Sequence, residues 1–221
     1  MLEIINKDFN NPNFLQAYTI ADMNELILDT VKKYGKNVNI KVGDQEVLTR
    51  ELLFCNTKIL FPQNRSIATR TKWKNVKALQ EYTKEVITPI VPEGFTYSYG
   101  SLMMNPRNQV ERVIEILRKD NNSRQATIML GGAYCLWDKE PPCCRIVDFK
   151  IRNGKLNMHL LFRSHDIMAY FPNLWAFTEL QQIVANALNK YIGYVACTSE
   201  SLHLYESDCN VIGWKNFAKV N

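Results

Sequence analysis

The residues best suited to chemistry lie on either side of a predicted hairpin turn. Cys143 follows two prolines, so it lies on a stiff, turn-like segment just before a predicted strand. Asn153-Gly154 is the strongest short-range hairpin signal in the chain, and it predicts that Arg163 folds back beside Cys143. A neighbouring guanidinium stabilises a thiolate, which is the nucleophilic form of cysteine. Most cytosolic cysteines are small buried hydrophobes, so this pattern alone leaves a structural and a catalytic role open.

The predicted elements mix helices with strands. Helices are expected from a cap at Asn13 to Gly35, over Lys72–Val86, over Gln109–Lys119 and from Leu174 to Tyr191. Strands are expected at Asn37–Val42, Leu48–Leu60, Ala126–Leu130, Arg145–Ile151, Lys155–Phe162 and Tyr194–Tyr205. This order, with its antiparallel hairpin, predicts the α+β class. No repeat, low-complexity tract or linker interrupts it, so residues 1–221 are predicted to form one domain.

Composition and charge narrow the class of protein and its ligands. Hydrophobic content of 46% and charged content of 22% are ordinary for a globular protein. The net charge of +5 suits an anionic ligand, but the basic residues are scattered, so nucleic acid is not an expected partner.

The expected compartment is the cytoplasm. Met1–Asn10 carry no charged-then-apolar leader, and the apolar runs are too short to span a bilayer. The six cysteines are then expected to be reduced thiols. They do not show the paired Cys-x-x-Cys spacing of a zinc site, so no metal is predicted.

Several short motifs follow one another in a fixed order: Tyr97-Ser98-Tyr99-Gly100, Ser123-Arg124, Pro142-Cys143, Asn153-Gly154-Lys155-Leu156, Arg163-Ser164-His165-Asp166, Pro172 and His203-Leu204-Tyr205. This set resembles the thymidylate synthase family, in particular its short archaeal-type synthases and the related pyrimidine nucleotide hydroxymethylases. The motifs run from about Phe95 to Asp208, and such a set is far more specific than one motif. The resemblance implies a thymidylate-synthase-like fold, a mixed sheet with flanking helices.

The resemblance also implies a covalent mechanism with methylenetetrahydrofolate as co-substrate and no metal. Cys143 would attack carbon 6 of a pyrimidine nucleoside monophosphate, which makes carbon 5 a nucleophile for the one-carbon unit. Loss of the ring proton and elimination of tetrahydrofolate leave an exocyclic methylene. Hydride from the folate would then give a methyl group, whereas water would give a hydroxymethyl group.

The same resemblance implies a role for each matched residue. Arg163 would lower the pKa of the cysteine and hold phosphate together with Ser164. Asp166 would form hydrogen bonds to the pterin ring, and Tyr99 would belong to the proton-relay region. His203 and Tyr205 would hold the sugar hydroxyl, and Arg124 would reach the phosphate in a neighbouring subunit. The role of Arg124 implies a homodimer. Two neighbours are expected to be structural, namely His165, facing away from the site, and Cys144, in packing.

This sequence departs from the family pattern at several positions. The base-reading asparagine normally lies two residues after the proline, where this chain has Leu174, so Asn173 would have to substitute through a local shift. The second arginine of the Ser-Arg-Arg element is Gln125. Arg50, Arg65 or Arg70 are the candidates to replace missing phosphate contacts, and few residues follow Tyr205.

Three functions remain open from the sequence. A hydroxymethylase acting on dCMP, CMP or dUMP is favoured, because the altered base-reading position and the short tail fit a site that admits water. A thymidylate synthase making dTMP from dUMP is the alternative, and short archaeal-type synthases also lack a long closing tail. A non-catalytic nucleotide- or RNA-binding paralogue is the least favoured, because binding alone would not require the thiol of Cys143.

Overall fold

One eight-stranded mixed β-sheet forms the centre of the molecule. The computed structural model describes residues 12–215 and 217, so the predicted absence of a leader at Met1–Asn10 concerns residues outside the described part. The strands are β1 (Phe14–Ala17), β2 (Lys36–Val42), β3 (Gln45–Ile59), β4 (Thr127–Met129), β5 (Cys144–Arg152), β6 (Lys155–Phe162), β7 (His165–Asp166) and β8 (Tyr191–Tyr205). The α-helices are α1 (Ile20–Tyr34), α2 (Val76–Ile87), α3 (Tyr99–Met104), α4 (Gln109–Lys119) and α5 (Ile167–Ala187), and 3-10 helices cover Ala133–Trp137 and Glu206–Ile212.

The sheet has the order β1-β3-β8-β6-β5-β4, with β2 beside β3 and β7 beside β8. Strands β3 and β8 pair antiparallel, whereas β8 pairs parallel with both β6 and β7. The hairpin β5–β6 is antiparallel, as Asn153-Gly154 predicted. This mixed sheet with flanking helices confirms the predicted α+β class.

Helix α5 is the central helix of the core, and its apolar side chains are buried along most of its length. Buried and partly exposed side chains alternate along β5. Val147 and Phe149 are fully buried. Asp148 and Lys150 are partly exposed and form an ion pair. Among the described residues, no helix is both long and apolar enough to cross a membrane.

The predicted start of the first helix is wrong. Asn13 does not cap it; Phe14–Ala17 instead form an edge strand that pairs parallel with β3. The cap is Thr19, whose hydroxyl accepts from the backbone amide of Asp22 at 3.0 Å, while the Asp22 carboxylate accepts from the amide of Thr19. Local periodicity did not reveal this strand because its pairing partner lies far along the chain.

The predicted bounds of α5 are also wrong, since it begins at Ile167 and ends at Ala187. Asp166 caps it by accepting from the amide of Met168 at 2.9 Å. Pro172 lies inside the helix and cannot donate to the carbonyl of Met168. The indole of Trp73 donates to that carbonyl instead, at 3.2 Å, and thereby ties the segment before α2 to the start of α5.

The other predicted elements appear with small differences at their ends, whereas α3, β7 and the two 3-10 helices were not predicted. Helix α4 has the predicted bounds, whereas α2 starts at Val76 after an Asn75 cap, so that the residues from Lys72 to Lys74 precede it.

Candidate active site

Cys143 and Arg163 lie together at the open end of the β5–β6 hairpin. The backbone amide of Arg163 donates to the carbonyl of Cys143 at 2.9 Å, which continues the strand pairing by one step. The guanidinium lies 3.9 Å from Sγ of Cys143. It also donates to the carbonyls of Pro141 at 2.6 Å and Pro142 at 3.2 Å, so the proline turn and the arginine hold each other in place. The sequence prediction that the hairpin joins these two residues is confirmed.

The surroundings of Cys143 as a whole raise the pKa of its thiol. Burial raises its pKa, the charge of Arg163 lowers it, and the charge of Asp166 raises it again, and the net direction is upward. The predicted influence of Arg163 therefore has the right direction, but the expectation of a lowered pKa is wrong because desolvation is the larger effect. Among the six cysteines Cys143 alone is half-buried, and the other five are buried.

Asp166, His203 and Tyr205 form one flank of this site. The short pairing of β7 with β8 places Asp166 opposite His203. The His203 ring packs edge-on against Tyr205, with centroids 5.3 Å apart, and its Nδ1 lies 3.3 Å from the hydroxyl of Ser201. Burial raises the pKa of both Asp166 and Tyr205, and the charges of Asp166 and Cys143 also act on Tyr205. The β-sheet thus brings these predicted site residues to the same end as the nucleophile.

Three further tyrosines have a pKa that the charge of an ionised Cys143 raises, namely Tyr82, Tyr97 and Tyr99. Tyr97 and Tyr99 have ring centroids 6.3 Å apart, and the charge of an ionised Cys143 raises the pKa of both. Burial is the larger cause for each, and it raises the pKa of Tyr97 to about 12. Tyr99 opens helix α3, and Gly100 allows this helix to approach the carbonyl of Thr88 so closely that a Cβ would collide with it.

The third tyrosine, Tyr82 on α2, is bonded to Asn173. Its hydroxyl lies 2.5 Å from Oδ1 of Asn173, and Nδ2 of the same amide lies 3.2 Å from Nε2 of His165. Asn173 is therefore buried beside the site, while Leu174 packs fully buried in the core. His165 is buried as well, stacked on Phe162 with centroids 3.8 Å apart. His165 is thus structural as expected, although its ring belongs to the network behind the site.

Arg124 lies away from this cluster. It is exposed and lines a surface hollow of about 640 Å³ together with Arg112, Lys119 and Gln125. Within one chain the structure therefore does not bring Arg124 to Cys143. Ser164, by contrast, follows Arg163 directly and is half-buried at the site.

The three arginines considered as replacement phosphate ligands bind elsewhere. Arg50 donates to the carbonyls of Val31 and Lys32 at the end of α1, at 3.0 and 2.8 Å. Arg65 pairs with Glu179 and packs over the ring of Trp175.

Arg70 is bonded to two carboxylates, Glu25 at 2.5 Å and Asp29 at 2.6 Å. All three guanidinium groups therefore have structural partners, which leaves Arg163 as the arginine beside the thiol.

Sequence reasoning missed Tyr82 and Trp73. Tyr82 lies in a polar helix and Trp73 in a basic stretch, and neither stands in a motif. The one available signal was Pro172 inside a helical pattern, because the carbonyl four residues before it must find another donor.

The arrangement is suited to nucleophilic addition to an anionic substrate. A half-buried thiol faces an exposed guanidinium, and both lie among phenol, imidazole and carboxylate groups that can hold or transfer protons.

Comparisons with known proteins show the family of this chain. The family model for thymidylate synthase matches residues 63–215. A protein of Methanosarcina barkeri (strain Fusaro / DSM 804) named "Putative thymidylate synthase" is 30% identical over 209 residues, which cover 92% of this chain and 94% of the relative. The deoxyuridylate hydroxymethyltransferase of Bacillus phage SP01 is 30% identical over 117 residues, 49% of this chain and 30% of the relative.

The fold also resembles a solved structure. The crystal structure of thymidylate synthase from T4 phage matches with a TM-score of 0.66 at 18% identity, covering 85% of this chain and 77% of that chain. Because the family model spans most of the chain and the archaeal relative aligns along almost all of it, this chain is an enzyme of the thymidylate synthase family, whose members transfer methyl or hydroxymethyl groups.

Proposed function

We propose that this enzyme attaches a hydroxymethyl group to carbon 5 of a pyrimidine nucleoside monophosphate, dCMP, CMP or dUMP. Enzymes of this family transfer a one-carbon unit and use methylenetetrahydrofolate as co-substrate. The observation that supports the proposal most strongly is the 3.9 Å separation of the Cys143 thiol from the exposed guanidinium of Arg163. A single cation can there stabilise the attacking thiolate and bind the phosphate of the nucleotide.

The chemistry begins with the thiolate of Cys143. A bond forms between Sγ and carbon 6, and the electron pair of the ring double bond moves toward carbon 5 and the polar group at carbon 4. Carbon 5 then attacks the one-carbon unit carried by the folate and forms a carbon–carbon bond to it. Loss of the proton on carbon 5 toward the region of Tyr99 expels tetrahydrofolate, as the bond between the one-carbon unit and the folate nitrogen breaks, and leaves an exocyclic methylene. Water adds to the exocyclic methylene, and Cys143 leaves as the bond to carbon 6 breaks.

Because the pKa of Cys143 is raised in the free protein, nucleotide binding must help to form the thiolate. A bound nucleotide covers the thiol and gives it an electrophilic carbon at bonding distance, whereas Arg163 stays beside the sulfur as its counter-ion. The proton of the thiol needs an acceptor, and the phenols and the Asp166 carboxylate are the titratable groups around it.

The remaining site residues are proposed to hold the nucleotide. The assignments are phosphate to Arg163 and Ser164, the sugar hydroxyl to His203 and Tyr205, and phosphate again to Arg124 from a second subunit. The location of Arg124 outside the Cys143 cluster of its own chain supports the last assignment. Asn173 is assigned to the base through the hydroxyl of Tyr82, from which its Oδ1 accepts.

The residues around Asp166 fit the folate. A pterin ring offers adjacent donors to a carboxylate, and Asp166 lies half-buried beside the site. A hollow of about 600 Å³ is lined by Trp73, Tyr82, Ile90 and Pro92, with the charged side chains Glu81, Lys84 and Glu85 also in its lining. Since Trp73 bonds the carbonyl of Met168 at the start of α5, this hollow adjoins the helix that Asp166 caps. These groups would bind and orient the co-substrate.

The choice of product rests on access of water. Hydroxymethylation requires water at the exocyclic methylene, whereas a synthase excludes water until hydride is transferred. Arg163 is exposed at the mouth of the site, and the phage relative is a deoxyuridylate hydroxymethyltransferase. A thymidylate synthase is the second candidate, because the archaeal relatives with that name align along almost the whole chain.

A homodimer in the cytoplasm completes the proposal, with residues 1–221 as one domain. Strands β1, β4 and β8 expose the apolar side chains Phe14, Met129 and Tyr194. A second copy of the chain packed on these strands would bury this apolar area.

Assays of labelled nucleotides test the reaction. Release of tritium from carbon 5 in the presence of methylenetetrahydrofolate is expected, and mass spectrometry of the product distinguishes hydroxymethyl from methyl. Tetrahydrofolate as the second product supports the hydroxymethylase and dihydrofolate the synthase. Cys143→Ser should abolish tritium release while the protein remains folded, and turnover by this variant would show that Cys143 is not the nucleophile.

The shared site is tested by mixing two inactive variants. Cys143→Ser and Arg124→Ala should each be inactive alone, but a mixed dimer keeps one intact site. After subunit exchange about a quarter of wild-type activity is expected from random pairing. Failure of the mixture to regain activity, with dimers present by light scattering, would contradict the role of Arg124.

A further inference from the structure

A chain of hydrogen bonds runs from the site into the core. It starts at the hydroxyl of Tyr82, which lies 2.5 Å from Oδ1 of Asn173. Nδ2 of Asn173 lies 3.2 Å from Nε2 of His165, and Nδ1 of His165 lies 2.9 Å from the hydroxyl of Ser199. The three inner members are at most 3% exposed, whereas Tyr82 is half-buried. Tyr82 also lines the hollow of about 600 Å³, so it is the member of this chain that borders open space.

The chain has a defined direction. Nδ2 of an asparagine can only donate, so Nε2 of His165 must accept. Burial lowers the pKa of His165 to about 3, so its ring is neutral and its one proton lies on Nδ1, which donates to Ser199. Oδ1 of Asn173 can only accept, so the hydroxyl of Tyr82 donates to it. The lone pairs of the Tyr82 oxygen then remain as an acceptor at the outer end.

The same chain packs against the strand ends that carry the nucleophile and its arginine. The His165 ring stacks on Phe162, which pairs with Cys144 across the hairpin and directly precedes Arg163. The charge of an ionised Cys143 is a smaller cause of the raised pKa of Tyr82, after burial and the charge of Glu85.

Packing against Trp73, with ring centroids 5.2 Å apart and planes tilted by 57°, fixes the phenol ring of Tyr82. The hydroxyl therefore cannot easily turn to another partner.

We propose that Tyr82 determines base specificity, with its hydroxyl oxygen accepting a hydrogen bond from the 4-amino group of a cytosine nucleotide. The inference rests on the proposed function, since Cys143 must engage carbon 6 for carbon 4 to face α2. A uracil nucleotide would place its carbonyl oxygen at position 4 against the lone pairs of Tyr82. Neither acceptor could then be satisfied, which disfavours uracil. The preferred substrate is therefore a cytosine nucleoside monophosphate.

Competing nucleotides and one conservative variant test this inference. The wild-type enzyme should show a kcat/KM for dCMP or CMP about 10- to 100-fold above that for the matching uracil nucleotide. Tyr82→Phe keeps the ring and removes the hydroxyl. It should lower kcat/KM for the cytosine substrate and raise kcat/KM for the uracil substrate, because the hydrogen bond to the amino group and the opposed lone pairs are lost together. Tyr191→Phe, at an exposed position (78%), is the matched control and should change neither value.

A second variant tests whether the direction of the hydrogen bond from the Tyr82 hydroxyl to Asn173 determines the preference for cytosine. Asn173→Leu leaves the Tyr82 hydroxyl in place but removes the acceptor that orients it, so the hydroxyl can donate to a carbonyl. The cytosine preference should then shrink mainly through gained activity on uracil.

Several outcomes would overturn the inference. They are an equal loss on both bases in Tyr82→Phe, and a wild-type preference for uracil that this variant leaves intact. Equilibrium binding of dCMP and dUMP to wild type and Tyr82→Phe needs no turnover, and an unchanged binding ratio would overturn the inference as well. Absence of tritium release from every nucleotide would instead refute the proposed function, so the two failures are distinguishable.

Discussion

The influence of Arg163 on the thiol of Cys143 can be measured in the free protein. Arg163→Gln removes the positive charge 3.9 Å from the sulfur. Two unit charges at that distance interact by about 1 kcal/mol in water and by about 4 kcal/mol at an effective dielectric constant of ~20. Since Arg163 is exposed and the thiol is half-buried, about 1–2 kcal/mol is the appropriate range. The thiolate fraction near neutral pH should therefore fall about fivefold to thirtyfold.

Alkylation by iodoacetamide provides the assay, because only the thiolate reacts. Rates at Cys143 are followed by peptide mass spectrometry across a pH series, and buried Cys55, whose pKa burial raises to about 12, should remain unmodified. The midpoint of the plot of alkylation rate against pH gives the pKa of the Cys143 thiol, which the charge of Arg163 affects. The plateau of the rate at high pH depends on how accessible the thiol is to the reagent. Arg163→Gln should move the midpoint to higher pH, and the difference from wild type should shrink in high salt.

Two controls separate charge from structure. Arg163→Lys keeps the charge but not the fork that bonds Pro141 and Pro142, so its midpoint should remain near that of wild type. Arg112→Gln removes a cation from an exposed ion pair on α4 and should leave the profile unchanged. If Arg163→Gln and wild type gave the same midpoint, the guanidinium would not stabilise the thiolate, and the proposed double role of Arg163 would be wrong.

Three further predictions concern the groups that support the site. Trp73→Phe leaves a buried helix carbonyl without a donor and should lower the unfolding free energy by about 1–3 kcal/mol in urea titrations; in a Pro172→Ala background, where the backbone amide can donate, the cost should be smaller, and an equal cost would contradict this account. Arg50→Gln should lower the unfolding free energy by about 2–4 kcal/mol yet leave the KM for nucleotide unchanged, because Arg50 bonds the end of α1; a large rise in KM would instead indicate phosphate binding. His165, with its pKa lowered to about 3 from 6.5, stays neutral when folded but takes up a proton when unfolded below pH 6.5, so its contribution to stability is complete above pH 6.5 and declines as the pH falls toward 3. Wild type should lose roughly 2 kcal/mol of unfolding free energy between pH 7 and pH 5 from this group, and His165→Gln should lack that part of the slope.

The sequence was sufficient where chemistry depends on residues that are close along the chain. The Asn153-Gly154 turn sets the register of the hairpin, and that register brings Arg163 beside Cys143. The order of the motifs indicated the family, and the apolar periodicity of α4 gave its bounds.

The bounds of α1 and α5 depended on contacts that the sequence does not display. An edge strand replaced the predicted start of α1 because Phe14–Ala17 pair with a distant part of β3. Helix α5 could include Pro172 because Trp73, from another segment, supplies the missing donor. Such partners are brought together only by the completed fold.

The electrostatics of the site were likewise decided by tertiary structure. The spacing of Cys143 and Arg163 predicted a stabilised thiolate, but burial outweighs the cation and raises the pKa of the thiol. The same packing binds Arg50 to the end of α1 and joins Tyr82 to Asn173. Sequence thus determined which groups are present and which neighbours a turn brings together. Solvent exclusion and long-range hydrogen bonding, which set the charge and the direction of each group, arise only when the whole chain packs.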